Sequence, residues 1–454
     1  MRAHVTLDSD DLDLLRAALE TLDGMFRDMP EFRPPPAEAR EQAVLQEVAA
    51  RLHDNYPYAH PLYAGQMMKP PHRIARLAAA LTMWLNPNNH SLDGGRASSE
   101  MEREAVAELA AMFNWESHLG HLCSGGTVAN LEALWVGAEC HPGGTVMASS
   151  QAHYTHRRAS ELLKLEFRGV AADARGRMDV EALERLLAGG CTGTVVATLG
   201  TTALGALDPL PEILALRQRY DFRIHVDAAY GGYFTLVDDL PAETRAIFDA
   251  TAHADSLVID PHKHGLQPYG CGCVLFRDTS LASHYAHRAP YAYFTGDARH
   301  LGEISLECSR PGAAAVALWA TQRLLPLSRG GRFSLDLAAG LRAAAALYAR
   351  LHDDERFLTL DGPQLDIVVW APRATLSSRI SSASRELFHA AAAHGLHLAL
   401  VDLPAAVLGA HWPDVDFDTA QATCLRSCLM RPEHADWLDR IWHIIDTAGR
   451  SAND

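Results

Sequence analysis

Apolar residues recur at helical spacing near the start of the chain, at Leu12, Leu15, Leu19 and Leu22, and predict a helix that must end before the proline cluster Pro34, Pro35 and Pro36. A second helix is expected from about Glu38 to Leu52 and a third from Ile74 to Leu85, where the run NPNN stops it. Between them HPLYAGQMMKPPH, from His60, is too rich in proline and glycine for regular structure. From about Ser98 to Arg323 the pattern changes. Helical stretches such as MEREAVAELAAMF alternate with the short apolar runs TVMAS, TVVATL, FRIHVDAAY, SLVID and GCVLF. Such alternation predicts an α/β unit with a mostly parallel sheet, whose chemistry gathers in the loops beyond the strand ends. The segment LSRGGRF near Ser328 reads as a hinge into a last unit with long Ala/Leu helices and a strand-like LDIVVW, consistent with a smaller α+β domain.

Composition narrows the class more than the chemistry. With 454 residues, 48% of them hydrophobic, the chain can build two or three packed units. Its 40 basic and 56 acidic residues give a formal charge of −16, which disfavours nucleic acid and anionic membrane surfaces as partners. No apolar run reaches the roughly 18 residues a spanning helix needs. The opening MRAHVTLDSDDLDLL is acidic where a secretory signal would be basic and then apolar, so the cytoplasm is the expected compartment. The eight cysteines, including the pairs Cys271/Cys273 and Cys424/Cys428, lack zinc-knuckle spacing and read as reduced, buried residues; no metal is expected.

Four segments carry candidate chemistry, each ambiguous alone. In SLVIDPHKHG a strand ends at Ile259, and a turn follows through Asp260, Pro261, His262 and Lys263. A lysine there can point into a cleft, where desolvation and neighbouring cations would depress its pKa enough for Schiff-base work, although most loop lysines are simply solvated. In FRIHVDAAYGG, Asp227 follows an apolar strand; a carboxylate there can keep a pyridine nitrogen protonated, or simply cap a helix. In HLCSGGTVANLEALWVGA a polar turn runs into a helix. Gly125 and Gly126 admit close backbone approach, Thr127 supplies a hydroxyl, and the helix start favours an anion. In ASSQAHYTHRRASELL, His153 follows a strand-like run, where an imidazole can stack on an aromatic ring.

Together, and in this order, the four segments resemble the group II pyridoxal-phosphate decarboxylases, which include aromatic amino acid, glutamate, histidine and archaeal tyrosine/aspartate decarboxylases. The likeness runs from about His60 to at least Arg323, through HPLYAG, LNPN, the Ser-Gly-Gly-Thr turn, AHYTHRRASELL, ATLGTTALGALDPL, HVDAAYGG, ADSLVIDPHK and SLECSRPGAAAVALW. The resemblance implies the aspartate aminotransferase type of fold (fold type I). Residues 1–85 would form a helical segment that wraps the partner of a homodimer, 86–327 the large domain that binds pyridoxal phosphate, and 328–454 the small C-terminal domain. It also implies that Lys263 holds the cofactor as a Schiff base, Asp227 pairs with the pyridinium nitrogen, and Ala229 and His153 pack on opposite ring faces. Thr202 would contact the ring or its hydroxyl, and Gly126, Thr127 and His262 would hold the phosphate. The activity implied is decarboxylation of an L-amino acid to its amine.

The family's proton donor for the substrate carbon is a loop tyrosine, for which Tyr291 and Tyr293 are the candidates. Arg310 matches a family arginine of structural role, and Arg426 falls where relatives of this fold place an arginine near the substrate carboxylate. The chain departs from the family in carrying His264 where a bulky aromatic is common and in lacking an aromatic run in HPLYAGQMM, so Gln66, His264 and His300 would give a more polar pocket. Competing readings are a carbon–carbon lyase or an aldehyde-forming decarboxylase of the same cofactor class, and a non-catalytic family member that binds regulatory partners.

Overall fold

In the computed structural model, which describes residues 9–30, 35–36, 38–286 and 300–451, the apolar runs pair into one seven-stranded sheet. Its strands are β1 (Leu119–Cys123), β2 (Thr145–Ser149), β3 (Glu166–Val170), β4 (Gly193–Thr198), β5 (Phe222–Asp227), β6 (Ser256–Ile259) and β7 (Gly272–Phe276), in the order β1-β7-β6-β5-β4-β2-β3. The pairs β2/β3, β2/β4, β4/β5 and β5/β6 are parallel, whereas β7 runs antiparallel to both β6 and β1. Six strands therefore point one way and only β7 points back. The carboxyl ends of β1, β2, β4, β5 and β6 consequently open on the same side, where open α/β sheets bind their ligands.

Every residue of β2, β4, β6 and β7 is buried, as expected of central strands, and this is why they read as continuous apolar runs. The same pattern does not reveal β1 and β3, because both lie at the sheet's edges and LGHLC and EFRGV carry polar or exposed positions. Near the start, helices span Ser9–Gly24, Ala39–Leu52 and Arg73–Thr82. The third stops short of the expected Leu85, and Asn86 turns the chain with a φ of 48°.

A second sheet of β8 (Phe357–Thr359), β9 (Ile367–Pro372), β10 (Ala399–Pro404) and β11 (Gln421–Cys428) is antiparallel throughout, in the order β10-β11-β9-β8. Strand alternation splits its side chains between two cores. Ile367, Val369 and Ala371 join the core of the large sheet, whereas Val368 and Trp370 pack with residues of the helices Arg332–His352, Ser377–Ala393 and Glu433–Ser451. On β11, Cys424 and Cys428 face the large sheet and Leu425 faces away. Arg426 shares the parity of Cys424, so its guanidinium is carried toward the large sheet. Among the described residues no helix is long and apolar enough to cross a membrane, and no three His, Cys, Asp or Glu residues group as metal ligands.

Candidate active site

The loops beyond the five aligned strand ends meet around a cavity of about 380 Å³. β1 leads into Ser124–Val128, β2 into His153–Thr155, β4 supplies Thr198, Gly200 and Thr202, β5 supplies Asp227, Ala229 and Tyr230, and β6 leads to Asp260, His262 and Lys263; Met67, Asn130 and Tyr269 complete the lining. Of the cofactor residues expected from the sequence, Gly126, Thr127, His153, Thr202, Asp227, Ala229, His262 and Lys263 all face this one space.

The chain has three lysines, Lys69, Lys164 and Lys263. Lys164 is exposed at the end of the Thr155–Leu163 helix, and Lys69 donates to the Met430 carbonyl at 3.2 Å. Only Lys263 lines the cavity. Its Nζ lies 3.2 Å from Asp260 Oδ2. The expected depression of its pKa is not what the surroundings produce. Burial works against the ammonium, but the carboxylates of Asp260 and Asp227 outweigh burial and hold the pKa above the ordinary lysine value. The neighbours are anions rather than the cations expected.

Asp227 ends β5 and caps no helix. Alternation along β5 puts His225 and Asp227 on one face, opposite Ile224 and Val226, and that face meets Asn130 of the Gly126–Cys140 helix. Asp227 Oδ2 accepts from His156 Nε2 at 2.8 Å and from Asn130 Nδ2 at 3.3 Å, while Oδ1 accepts from the Ala229 amide at 3.1 Å. Burial pushes this carboxyl up, yet the hydrogen bond from His156 and the nearby Lys263 ammonium prevail and hold it well below the usual carboxylate range. His153 and His262 are both shifted down, chiefly by burial, and so stay neutral near neutral pH. His153 lies against Tyr154, and His262 stacks on Tyr269 with ring centroids 4.6 Å apart.

The start of the Gly126–Cys140 helix forms the cavity's anion-seeking end. Val128 and Ala129 bond the Gly125 carbonyl, which leaves the Gly126 and Thr127 amides at the helix mouth. Gly125 has a φ of 152°, which disfavours any residue with a Cβ, and a Cβ on Gly126 would come within 2.8 Å of the Asp260 carboxylate.

The expected substrate residues divide. Arg426 is buried and donates to the Thr202 carbonyl at 2.6 Å and to Gln66 Oε1 at 2.7 Å; neither side chain lines the cavity, although their neighbours Thr202 and Met67 do. His264 does not reach it. The residue after Lys263 turns the opposite way, into a buried slot between the Tyr230 and Phe234 rings, with Nε2 3.4 Å from Asp366. His300 is likewise buried elsewhere and accepts from the Leu92 amide. Arg310 pairs with buried Glu102 at 2.6 Å, away from the cavity lining. Tyr291 and Tyr293 lie outside the described residues. Sequence reasoning passed over Asn130, His156, Tyr230 and Asp260. His156 stands inside the quoted segment AHYTHRRASELL, and only the burial of that helix's Thr155, His156, Ala159 and Ser160 face marks it.

The family described as pyridoxal-dependent decarboxylase conserved domain matches residues 143–371, half of the chain, and the chain belongs to that family. It is 32% identical over 234 residues to a probable L-tyrosine/L-aspartate decarboxylase of Methanothermobacter thermautotrophicus, covering 50% of this chain and 62% of that protein. Over 402 residues it is 27% identical to an L-tyrosine decarboxylase of Enterococcus faecium, with 66% of each chain covered. Over 345 residues it is 34% identical to an L-2,4-diaminobutyrate decarboxylase of Rhizobium meliloti, covering 72% of this chain and 64% of that protein. The matches thus span 62%, 66% and 64% of these relatives' own lengths. In fold the chain is similar to Oryza sativa TDC, solved with PLP and tryptamine, at a TM-score of 0.79 and 19% identity over 98% of this chain and 99% of that one. It is equally similar to mouse CSAD, at 0.79 and 24% identity over 95% and 91%. The expected architecture, a large mostly parallel sheet with a smaller C-terminal sheet unit, is the one observed.

Proposed function

We propose that this protein uses pyridoxal phosphate, held through Lys263, to decarboxylate an L-amino acid to the corresponding amine and carbon dioxide. The observation that carries this reading is the gathering in one cavity of the chain's only cavity-lining lysine, a carboxylate kept ionised, and an open helix start. These groups fit the cofactor's three handles: an amine for the aldehyde, Asp227 for the ring nitrogen, and the Gly126 and Thr127 amides with the Thr127 hydroxyl and His262 for the phosphate.

When bound, the cofactor supplies an electron sink for the pair left on the substrate carbon as carbon dioxide departs. The chain's residues do the rest. Asp227 would hold a proton at the ring nitrogen, and Ala229 and His153 would hold the ring. Thr202 would contact the ring or its hydroxyl, and its carbonyl fixes Arg426, which with Gln66 would orient the substrate carboxylate. Tyr291 or Tyr293 returns a proton to the substrate carbon.

We read the working unit as a homodimer of chains divided at 1–85, 86–327 and 328–454. Among the described residues, thirteen of the nineteen large apolar side chains left exposed, from Leu12 to Leu85, fall in the first of these segments, the surface expected of a segment that wraps a partner. All eight cysteines are free, and most are buried, which suits a reducing compartment such as the cytoplasm.

The test is to load the protein with pyridoxal phosphate, offer each common L-amino acid, and measure carbon dioxide and amine together. Equal amounts from at least one substrate are expected. Peroxide with ammonia would replace the reading with the aldehyde-forming one, and no carbon dioxide from any amino acid would remove it.

A further inference from the structure

We propose that His156 is a positioning residue: it holds the Asp227 carboxylate ionised and aimed into the cavity, so that the cofactor's ring nitrogen, and not Asp227, keeps the proton they share. The inference rests on the cofactor reading above and concerns a residue to which nothing in the sequence motifs gave a role.

A buried histidine is usually part of a core, but the contacts of this one are specific. His156 is fully buried, and its Nε2 lies 2.8 Å from Asp227 Oδ2. A carboxylate only accepts, so Nε2 must carry the hydrogen. The other ring nitrogen has no hydrogen-bond partner among the described residues, so the imidazole serves Asp227 alone.

A second clamp meets the same oxygen from the helix above. Asn130 donates through Nδ2 at 3.3 Å, and because the carboxylate can only accept, the amide is held with Oδ1 toward His225 Nε2 at 2.7 Å. Burial pushes the pKa of His225 down to about 3, so that ring is neutral and has one hydrogen to give. Ser256 Oγ, 2.9 Å from His225 Nδ1, donates to the bare nitrogen and fixes the tautomer. The Ala229 amide holds the second carboxylate oxygen. The other titratable groups that act on Asp227 are His153 beyond β2 and Lys263 beyond β6, besides His225 on its own strand.

Hydrogen bonds donated to a carboxylate favour its ionised form. Between Asp227 and the ring nitrogen there is one proton, and the stronger base keeps it. With His156 donating, Asp227 is the weaker base and the nitrogen is protonated, the state in which the ring accepts electrons. Without that donor the proton passes to Asp227, the nitrogen becomes neutral, and no other bond changes.

The experiment loads the full chain with pyridoxal phosphate labelled with nitrogen-15 in the ring and follows that nitrogen by NMR from about pH 6 to about pH 9. The wild type and His156→Gln, which keeps an N–H donor, are expected to show the protonated signal. His156→Phe, which keeps a flat ring but no donor, is expected to lose it, with kcat/KM lower by roughly ten- to a hundredfold. His156→Met stands in if the Phe variant does not fold. A protonated signal retained in the variant without a donor, or missing from the wild type, overturns the proposal while leaving the decarboxylase reading in place. Failure of the wild type to take up the cofactor at all would instead overturn that reading.

Discussion

The two sides of the cavity are built in different ways. The side formed by the large sheet comes from short segments, each within a few residues of a strand end, so that local sequence puts Asp227, Lys263 and the Gly126 helix start in place once the strands align. The opposite side is assembled across the chain. Arg426 reaches Thr202 and Gln66 over sequence separations of 224 and 360 residues, and Tyr230 reaches Asp366 over 136. On the proposed reading the first side would serve the cofactor, whereas the second depends on how the small sheet packs on the large one. On that same reading, variation on the second side would change the side chain accepted without disturbing the first.

The largest effect is expected on the first side. On the proposed reading, Asp227→Ala should lower kcat by about a thousandfold or more and weaken cofactor binding, because the ring nitrogen would lose its carboxylate partner. Steady-state rates at saturating cofactor would show it, and near-normal turnover would contradict the role. On the second side Arg426→Ala should raise KM by roughly ten- to a hundredfold with a smaller change in kcat, and Arg426→Lys should not restore it, since one ammonium cannot hold both Thr202 and Gln66. An unchanged KM would remove Arg426 from substrate binding.

The smallest effect is on stability and concerns Asp366, which accepts from the Tyr230 hydroxyl at 2.6 Å. Burial raises its pKa from 3.8 to about 6. A folded-state pKa above the unfolded value contributes stability at low pH that is lost as pH rises through about 6. Asp366→Asn, which never ionises, should therefore gain about 1 kcal/mol more relative to wild type near pH 7.5 than near pH 5 in denaturant unfolding. An equal difference at both pH values would show that the fold does not raise the pKa of Asp366.

Much of the first side was legible in the sequence. The runs TVVATL and SLVID read as buried strands of a mostly parallel sheet, which puts the polar residues following them at the sheet's ligand-binding end. The edge strands β1 and β3 were hidden because one side of each lacks a neighbour and tolerates polar residues. His264 was misjudged for a geometric reason: adjacency to Lys263 in a turn sends its side chain away from the cavity, toward Asp366. The neighbours of Lys263 were misjudged as cations because Asp260, three residues earlier, folds back onto it only when the turn closes. His156 and Asn130 were invisible as partners of Asp227, since two helices and a strand must pack before their side chains converge.

The central claim is that one amine in this cavity captures the cofactor, and the chain's small number of lysines makes it directly measurable. After addition of pyridoxal phosphate and reduction with borohydride, peptide mass mapping should find the added cofactor mass on the peptide bearing Lys263 and on neither of those bearing Lys69 and Lys164. Modification of another lysine in place of Lys263, or of none, would contradict the account.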